Sequence, residues 1–590
     1  MQNETHKFQG VFSEMRKKIS VTILIITLLL PVFAIAISSH SATVQTVSSI
    51  AELKITTSVE DKYAIDFSFR LLRPRITMAA ILLNGDTFII EMLAKSNTSV
   101  SDWAVQAMND THSYTLTVNN VIKVSEDVYN INVTIPTYVD TALYDLQVNA
   151  TVDGTEKSAL EPHALKVLYE YPTTFTFVQI TDEHLRTSRT AEANRLFDQM
   201  IYQINLLQPD FVISSGDNVD QGTDKSFMLY REQLYALQVP LFVGPGNHDY
   251  SSNGKLDLFE KWLAYTNASF DFGQFHFVSV NVSNSWEVER YQVDWLRQDL
   301  AQHPNQTKIL FFHYPMFSPY TESLEIGKAG KYLLQTINEF NVSYVLTGHL
   351  HTDYVTVKND TTYIITTTLG SGHPAWDWNG YRIYQVVNNS ITWFGYANNL
   401  TKSYPVRDFK IEWHPSPAYK DVGARLTLIN NWVDNFSSLT IKLKLSTLDS
   451  GYYIIENATL LENATYSNLV YLILNTSLES GETKTIRVYP NNPQAPTFDS
   501  VNVPKTLEVI EPVLVTVRVS NPVSGIDFVE IHYQEEGKQW VTKPMIARGD
   551  GEYGYSFTGF TRPENVTIYF TAYDYSGLSA DSQHLSLIHI

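Results

Sequence analysis

Between Phe175 and His351, five apolar stretches of four to six residues each lead into a cluster of aspartate, asparagine or histidine. Phe175 to Ile180 leads into Thr181-Asp182-Glu183-His184, and Phe211 to Ser214 into Gly216-Asp217-Asn218-Val219-Asp220. Pro240 to Val243 leads into Gly246-Asn247-His248-Asp249, Lys308 to Phe312 into His313, and Val342 to Leu346 into Gly348-His349-Leu350-His351. A sixth apolar stretch, Gln274 to Val280, lies among them, and helical patterning fills the gaps near Ala191 to Leu207, Ser226 to Leu237, Val288 to Gln302 and Lys328 to Phe340. Short strands alternating with helices predict an α/β layered domain, which gathers the residues following its strands at one edge of a sheet.

The rest of the chain reads differently. From 43 to 170, runs such as Phe88 to Leu93, Ser113 to Val118 and Tyr129 to Ile135 alternate between apolar and polar residues and are separated by polar turns, a β-sandwich pattern. Strand-like runs return after Ala397: Leu426 to Ile429, Leu439 to Leu445 and Thr485 to Val488 predict a β-sandwich over 398–495. Leu514 to Val519, Phe528 to Tyr533 and Val566 to Asp574 predict an immunoglobulin-like sandwich over 496–584. At 590 residues the chain is too long for one core. The expected architecture is multidomain α/β plus all-β: a central two-layered α/β sandwich over 171–397 flanked by β-sandwich domains. The modules flanking it are the kind that act as spacers or adhesive surfaces, so cell-envelope glycans or proteins are their expected partners.

Location is read from the N-terminus. Arg16, Lys17 and Lys18 close a cytoplasmic region, 1–18, ahead of a mostly apolar stretch, 19–39, long enough for a signal peptide or a retained membrane anchor. Sixteen Asn-x-Ser/Thr sequons follow, from Asn97 to Asn565, where chance would give about six. N-linked glycans on an extracellular or cell-surface protein are therefore expected. The chain has no cysteine, which makes an archaeal surface the expectation and leaves any metal to nitrogen and oxygen ligands. A formal net charge of -20 disfavours a nucleic-acid duplex as partner, whereas a small phosphate ester stays compatible. The last six residues, 585–590, match the in-frame translation of mosaic-end DNA used in sequencing libraries, so the natural chain is expected to continue past His584.

Each polar cluster alone is an ordinary turn; five in this order are not. Asp-x-His, Gly-Asp-x-x-Asp, Gly-Asn-His-Asp, a histidine at a strand end and Gly-His-x-His together resemble the calcineurin-like metallophosphoesterase superfamily over about residues 172 to 397. The resemblance implies two metal ions, with Asp182, His184 and His351 on one, Asn247, His313 and His349 on the other, and Asp217 shared. It also implies that His248 protonates the leaving oxygen or stabilises charge on phosphorus while Asp220 orients its ring, and that Asp249 hydrogen-bonds behind the ligands. A shared carboxylate with neutral imidazoles and an amide carbonyl suits two cations held about 4 Å apart, which can activate a bridging water for in-line attack on phosphorus. Nitrogen and oxygen shells of this type accept Mn, Fe, Zn or Co.

Departures from subfamily patterns narrow the expectation. Gln221 stands where protein Ser/Thr phosphatases carry an arginine, and His184 and Asp220 replace the pattern of purple acid phosphatases. The nearest resemblance is to the phosphodiesterase-like branch. The expected function is thus an extracellular binuclear-metal phosphoesterase acting on phosphodiesters. The alternatives are a phosphomonoesterase or nucleotidase on the same site, and a surface structural or adhesion protein on an inactive scaffold. The loop from Gly370 to Trp376 is an ordinary loop by composition, with His373 and Trp376 as candidate substrate contacts.

Overall fold

Alternating burial along each strand builds the central domain. In the computed structural model, which describes residues 64–188, 191–321, 323–370, 378–415, 421–504, 506–507, 512–557 and 565–589, this domain is two facing six-stranded sheets, each backed by helices. The first sheet contains β1 (Phe175–Ile180), β2 (Phe211–Ser214) and β3 (Leu241–Val243), all parallel. The second contains β4 (Ala268–Phe272), β5 (Phe275–Ser279), β6 (Thr307–Phe311), β7 (Val342–Thr347), β8 (Tyr354–Lys358) and β9 (Thr361–Ile365), of which β5, β6, β7 and β9 run parallel. The first sheet is completed by β10 (Gly380–Val387), antiparallel to β1, and by β11 (Ser390–Trp393) and the two-residue strand Tyr404–Pro405, both antiparallel to β10.

Because successive strand residues point to opposite faces, one set of side chains fills the space between the sheets and the other meets the helices. Phe175, Phe177, Phe211 and Ile213 from the first sheet meet Phe275, Phe277, Ile309 and Phe311 from the second in a single aromatic-rich core. Val178, Ile180 and Val212 instead pack on α1 (Glu192–Leu207) and α2 (Asp224–Leu234). On the far side Val278, Leu310 and Val345 pack on α4 (Arg290–Gln302) and α5 (Gly330–Glu339), α3 (Asp257–Trp262) being a short turn between. Helix α1 buries Ala193, Leu196, Phe197, Met200, Ile201 and Ile204, the three-to-four spacing of one helical face.

The expected strands and helices of this domain form with ends displaced by no more than three residues. Sequence patterning missed β4 and β8 to β11. In β10 the fully buried Arg382 interrupts the apolar run, its guanidinium bonded to Asp353 at 2.9 Å and to the carbonyls of Phe394 and Leu400.

Before the central domain, strands between Phe69 and Leu168 form an eight-stranded sheet folded around one core that includes Ile90, Met92, Val105, Ile131, Val133 and Leu146. After it, a four-stranded and a three-stranded sheet occupy Phe409 to Pro490, and their core residues Leu426, Trp432, Ile441 and Leu474 are continuous with those of α1. Gln203 reaches the carbonyls of Val406 and Phe409 from α1, so this sandwich is fused to the helical layer of the central domain. A second pair of sheets spans Thr497 to His589 around Val515, Val517, Val529, Ile531, Ile568 and Phe570. Its fully buried Asp527 accepts from Arg425 Nε at 2.6 Å across the junction with the preceding sandwich.

Among the described residues no helix is long and apolar enough to cross a membrane. The apolar stretch 19–39 and the residues His373 and Trp376 lie outside those described.

Candidate metal centre

The five polar clusters meet where the strand ends of the two sheets face each other. Asp182 and His184 follow β1, Asp217 and Asp220 follow β2, Asn247 and His248 follow β3, His313 follows β6, and His349 and His351 follow β7. Asp182, His184, Asp217, His349 and His351 all adopt left-handed backbone, with φ of 52°, 48°, 57°, 68° and 52°. Such conformations are costly for residues with a Cβ and persist where surrounding structure enforces them. Here the enforcement is close packing of loop on loop: a Cβ on Gly246 would collide with the Asp217 main-chain nitrogen, and one on Gly348 with the Thr181 hydroxyl.

Two groups of side chains converge. Asp182, His184 and His351 form the first: Asp182 Oδ1 lies 3.1 Å from His351 Nε2 and 3.8 Å from His184 Nε2, and the two Nε2 atoms face each other at 3.2 Å. Asp217, His313 and His349 form the second, with Asp217 Oδ2 3.2 Å from His313 Nε2. Asn247 Oδ1 is 3.0 Å from the same His313 nitrogen. Asp217 Oδ2 also lies 3.7 Å from His184 Nε2, so one carboxylate oxygen faces both groups.

His313, Asp182 and Asp217 are oriented from behind. His313 Nδ1 donates to the Ser215 carbonyl at 3.2 Å, which turns Nε2 into the site. The main-chain N–H groups of His349 and His248 donate to Asp182 Oδ2 at 2.9 Å and to Asp217 Oδ1 at 2.8 Å. Each aspartate thereby keeps its other oxygen for the convergence point. Asp249 is fully buried and ties the second and third loops together, accepting from Gly246 N, Asn218 N and Asn218 Nδ2 through Oδ2 and from Val219 N through Oδ1. Asp353, two residues past His351, accepts from Ser403 and Arg382 and anchors the fifth loop.

Electrostatics show what this donor set lacks. Burial acts to raise the carboxyls of Asp182 and Asp217, yet the neighbouring histidines outweigh it and hold both low. Burial acts to lower His313, but Asp217 and Asp182 push it up to about 9. His351 is raised in the same way by Asp182, whereas burial takes His184 down to about 4 and His349 down to about 3. Two buried carboxylates thus draw protons onto two imidazoles for want of other positive charge. Facing Nε2 atoms beside shared carboxylate oxygens are satisfied far better by cations, and the nitrogen and oxygen donors fit the Mn, Fe, Zn or Co class.

All seven sequence-predicted ligands reach this convergence. His248 sits at its edge, its ring 4.6 Å from that of His184. The expected role of Asp220 changes in detail: its main-chain carbonyl, 2.9 Å from His248 Nδ1, holds the ring, while its carboxylate lies 4.0 Å from His184 Nδ1 and 3.5 Å from Arg186 Nε. Sequence reasoning passed over Arg186, although Leu185-Arg186 continues the first motif. It also passed over Trp286 and Tyr314, which stack at 4.7 Å beside His349; adjacency to His313 was the available signal for Tyr314. Glu183, fully buried behind the loops, has its carboxyl pushed well above the usual range by burial.

Comparison with known proteins agrees with this geometry. Residues 175–353 match the calcineurin-like phosphoesterase family model. A probable glycerophosphodiester phosphodiesterase of Arcobacter nitrofigilis is 28% identical over 203 residues, 31% of this chain and 74% of that protein. A 3',5'-cyclic-nucleotide phosphodiesterase of Nostoc sp. is 25% identical over 203 residues, 32% of this chain and 76% of that protein. The structure of a purple acid phosphatase from yellow lupin seeds aligns over 58% of this chain and 70% of its own, with 11% identity and a TM-score of 0.37. The segment that matches the calcineurin-like phosphoesterase family is thus the one whose five Asp, Asn and His clusters meet at the edges of two facing sheets.

Proposed function

We propose that the centre holds two metal ions and hydrolyses phosphodiesters at the outer face of the cell. The domain is a metal-dependent phosphoester hydrolase; the metal count, the diester preference and the location are our reading. The observation that carries it is Asp217 Oδ2, set between His184 Nε2 at 3.7 Å and His313 Nε2 at 3.2 Å. Asp182, His184 and His351 would hold one ion, Asn247, His313 and His349 the other, and Asp217 both. Ions held there supply Lewis acidity toward phosphate oxygens and lower the pKa of water.

The chain's own groups do the rest. Because the Asp220 carbonyl can only accept, His248 Nδ1 carries a proton, and the ring is fixed with Nε2 as its proton-transfer atom toward the leaving oxygen. Arg186 pairs with the Asp220 carboxylate at 3.5 Å and so balances its charge. Trp286 and Tyr314 wall the site next to His349 with apolar surface suited to an organic ester group. Support for a diester comes from relatives named for glycerophosphodiester and cyclic-nucleotide hydrolysis, and from Gln221 in place of the arginine of protein phosphatases. The N-terminal apolar segment and the sequons support a surface location, with the β-sandwiches positioning the hydrolase among envelope glycans or proteins.

The test is turnover of bis-p-nitrophenyl phosphate against p-nitrophenyl phosphate by metal-reconstituted protein, with Asp217→Asn and His248→Ala alongside. Faster diester turnover that collapses in both variants is expected. Faster monoester turnover would make the protein a phosphatase, and metal binding without turnover of either ester would leave a surface scaffold.

A further inference from the structure

A second cluster of histidine and aspartate lies on the hairpin that opens the second sheet, with no residue in common with the metal centre. Asp271 on β4 and His276 on β5 are directly opposed cross-strand partners, and His276 Nδ1 is 2.7 Å from Asp271 Oδ1. On the other side of the ring, His276 Nε2 is 2.7 Å from Asp299 Oδ2 on α4, and Asp299 Oδ1 accepts from the Ser269 hydroxyl. His303, which ends α4, stacks its ring on His276 with centroids 3.7 Å apart. Its Nδ1 lies 2.7 Å from Gln306 Oε1 and 3.6 Å from Asp271 Oδ1.

The arrangement has the order of a metal site built from the outside in. A histidine that ligates a metal through one nitrogen ordinarily gives its other N–H to a carboxylate that is itself hydrogen-bonded. Ser269, Asp299 and His276 form that chain, which assigns the proton to Nε2 and aims Nδ1 at Asp271. The His276 side chain is 1% exposed between its neighbours, whereas that of Asp271 is 45% exposed, so the group opens to solvent on the carboxylate side. Lys308, the in-register neighbour of His276 on β6, turns its ammonium onto the carbonyls of Pro304 and Gln306 and so pins the loop that carries His303 and Gln306.

We propose that Asp271 Oδ1, His276 Nδ1, His303 Nδ1 and Gln306 Oε1 bind one divalent transition-metal ion of the zinc class, separate from the centre at the sheet edges. Two imidazoles, a carboxylate and an amide oxygen are a donor set for Zn, Ni, Cu or Co. Ligands about 2.0–2.2 Å from a tetrahedral ion stand about 3.3 Å apart. The 3.6 Å spacing of His303 and Asp271 already approaches this, and the 2.7 Å spacing of His276 and Asp271 opens by rotation of the exposed carboxylate. Such an ion would clip the hairpin to the end of α4 and brace the edge of the second sheet, a structural role apart from hydrolysis.

The test is zinc content per chain after dialysis of the full protein against ZnCl2, for the wild type, Asp271→Asn, His303→Gln and Asp217→Asn. His303→Gln leaves the Asp299–His276–Asp271 chain intact, so it tests the ligand without dismantling the fold. Expected is the loss of one zinc equivalent in Asp271→Asn and in His303→Gln with phosphodiester turnover unchanged, and further loss when either is combined with Asp217→Asn. Equal zinc content in the wild type and both hairpin variants overturns the proposal. So does a loss of zinc that brings a parallel loss of turnover, because the missing ion would then belong to the sheet-edge centre.

Discussion

Two clusters of histidine and aspartate lie in one domain, and their backbones separate them. At the sheet edges, five of the seven ligand residues stand in left-handed conformations and every ligand loop is locked to another. On the hairpin, Asp271 and His276 sit on ordinary antiparallel strand and His303 on an ordinary helix end, with φ of -120°. Bringing this many donors to one buried point costs backbone strain, and the sheet-edge centre sustains it with close glycine packing and a buried carboxylate lattice. The hairpin cluster brings fewer donors together and does so on unstrained backbone, from a ladder pair and a helix end. Strain of this kind marks the place where chemistry is expected, and the comparison can be broken by experiment.

The largest effect belongs to Asp217. If its Oδ2 is shared between two groups of ligands, Asp217→Asn should lower phosphodiester kcat/KM by about 10³-fold or more, roughly 4 kcal/mol of transition-state stabilisation. His276→Gln should leave kcat/KM within about threefold. Steady-state kinetics on the two variants side by side decides the matter; comparable losses would erase the distinction between the clusters. Next comes His248→Ala, which removes the group fixed by the Asp220 carbonyl. A loss of about 10² to 10³ in kcat is expected with p-nitrophenol diesters, and more with esters of poorer leaving groups. A loss that does not grow with leaving-group pKa would show that His248 acts on charge at phosphorus and not on the departing oxygen.

A smaller loss is expected behind the ligands. The Asp249 carboxylate accepts from Gly246, Asn218 and Val219 and so ties their loops together behind the convergence. Asp249→Ala should cost about 10- to 100-fold in metal affinity or activity, with excess metal restoring part of it, as is usual for residues that orient ligands. Activity that stays lost at saturating metal would place Asp249 closer to the reaction than its hydrogen bonds suggest.

What was legible in the sequence was whatever is local to a strand end. Asp182, His184, Asp217, Asn247, His313, His349 and His351 each follow an apolar run, so their convergence could be argued from chain order. Three things could not. Asp220 contributes a carbonyl, which no side-chain pattern reveals, and its carboxylate reaches toward His184 and Arg186 instead. β10 hides behind its buried Arg382, whose charge breaks the apolar signature yet is met by Asp353, a residue that reads as ordinary loop. The hairpin cluster joins residues 5, 28 and 32 positions beyond Asp271 only because α4 returns across the strand, a tertiary fact. The five-residue spacing of Asp271 and His276 about Gly273 was the one local hint.

The smallest predicted effect sharpens the comparison where the two clusters look most alike, in protonation. Burial acts to lower His276, but hydrogen bonds and charge from Asp271 and Asp299 outweigh it and raise its pKa above the ordinary imidazole value. The facing groups are Asp271 from β4, Asp299 and His303 from α4, and Lys308 from β6, whose ammonium is turned onto carbonyls. A folded pKa above the unfolded one means the stabilisation is fully present below about pH 6.5 and is lost as pH rises through the folded value. It also fades in acid once Asp271, which burial acts to raise but His276 and His303 hold low, takes up a proton. In protein kept metal-free with EDTA, the unfolding midpoint of the central domain should therefore exceed that of His276→Gln by about 2 °C near pH 6, and the gap should shrink toward pH 9. A gap that is constant or widens with pH would mean that His276 is neutral between its aspartates, held by packing against His303 and not by charge.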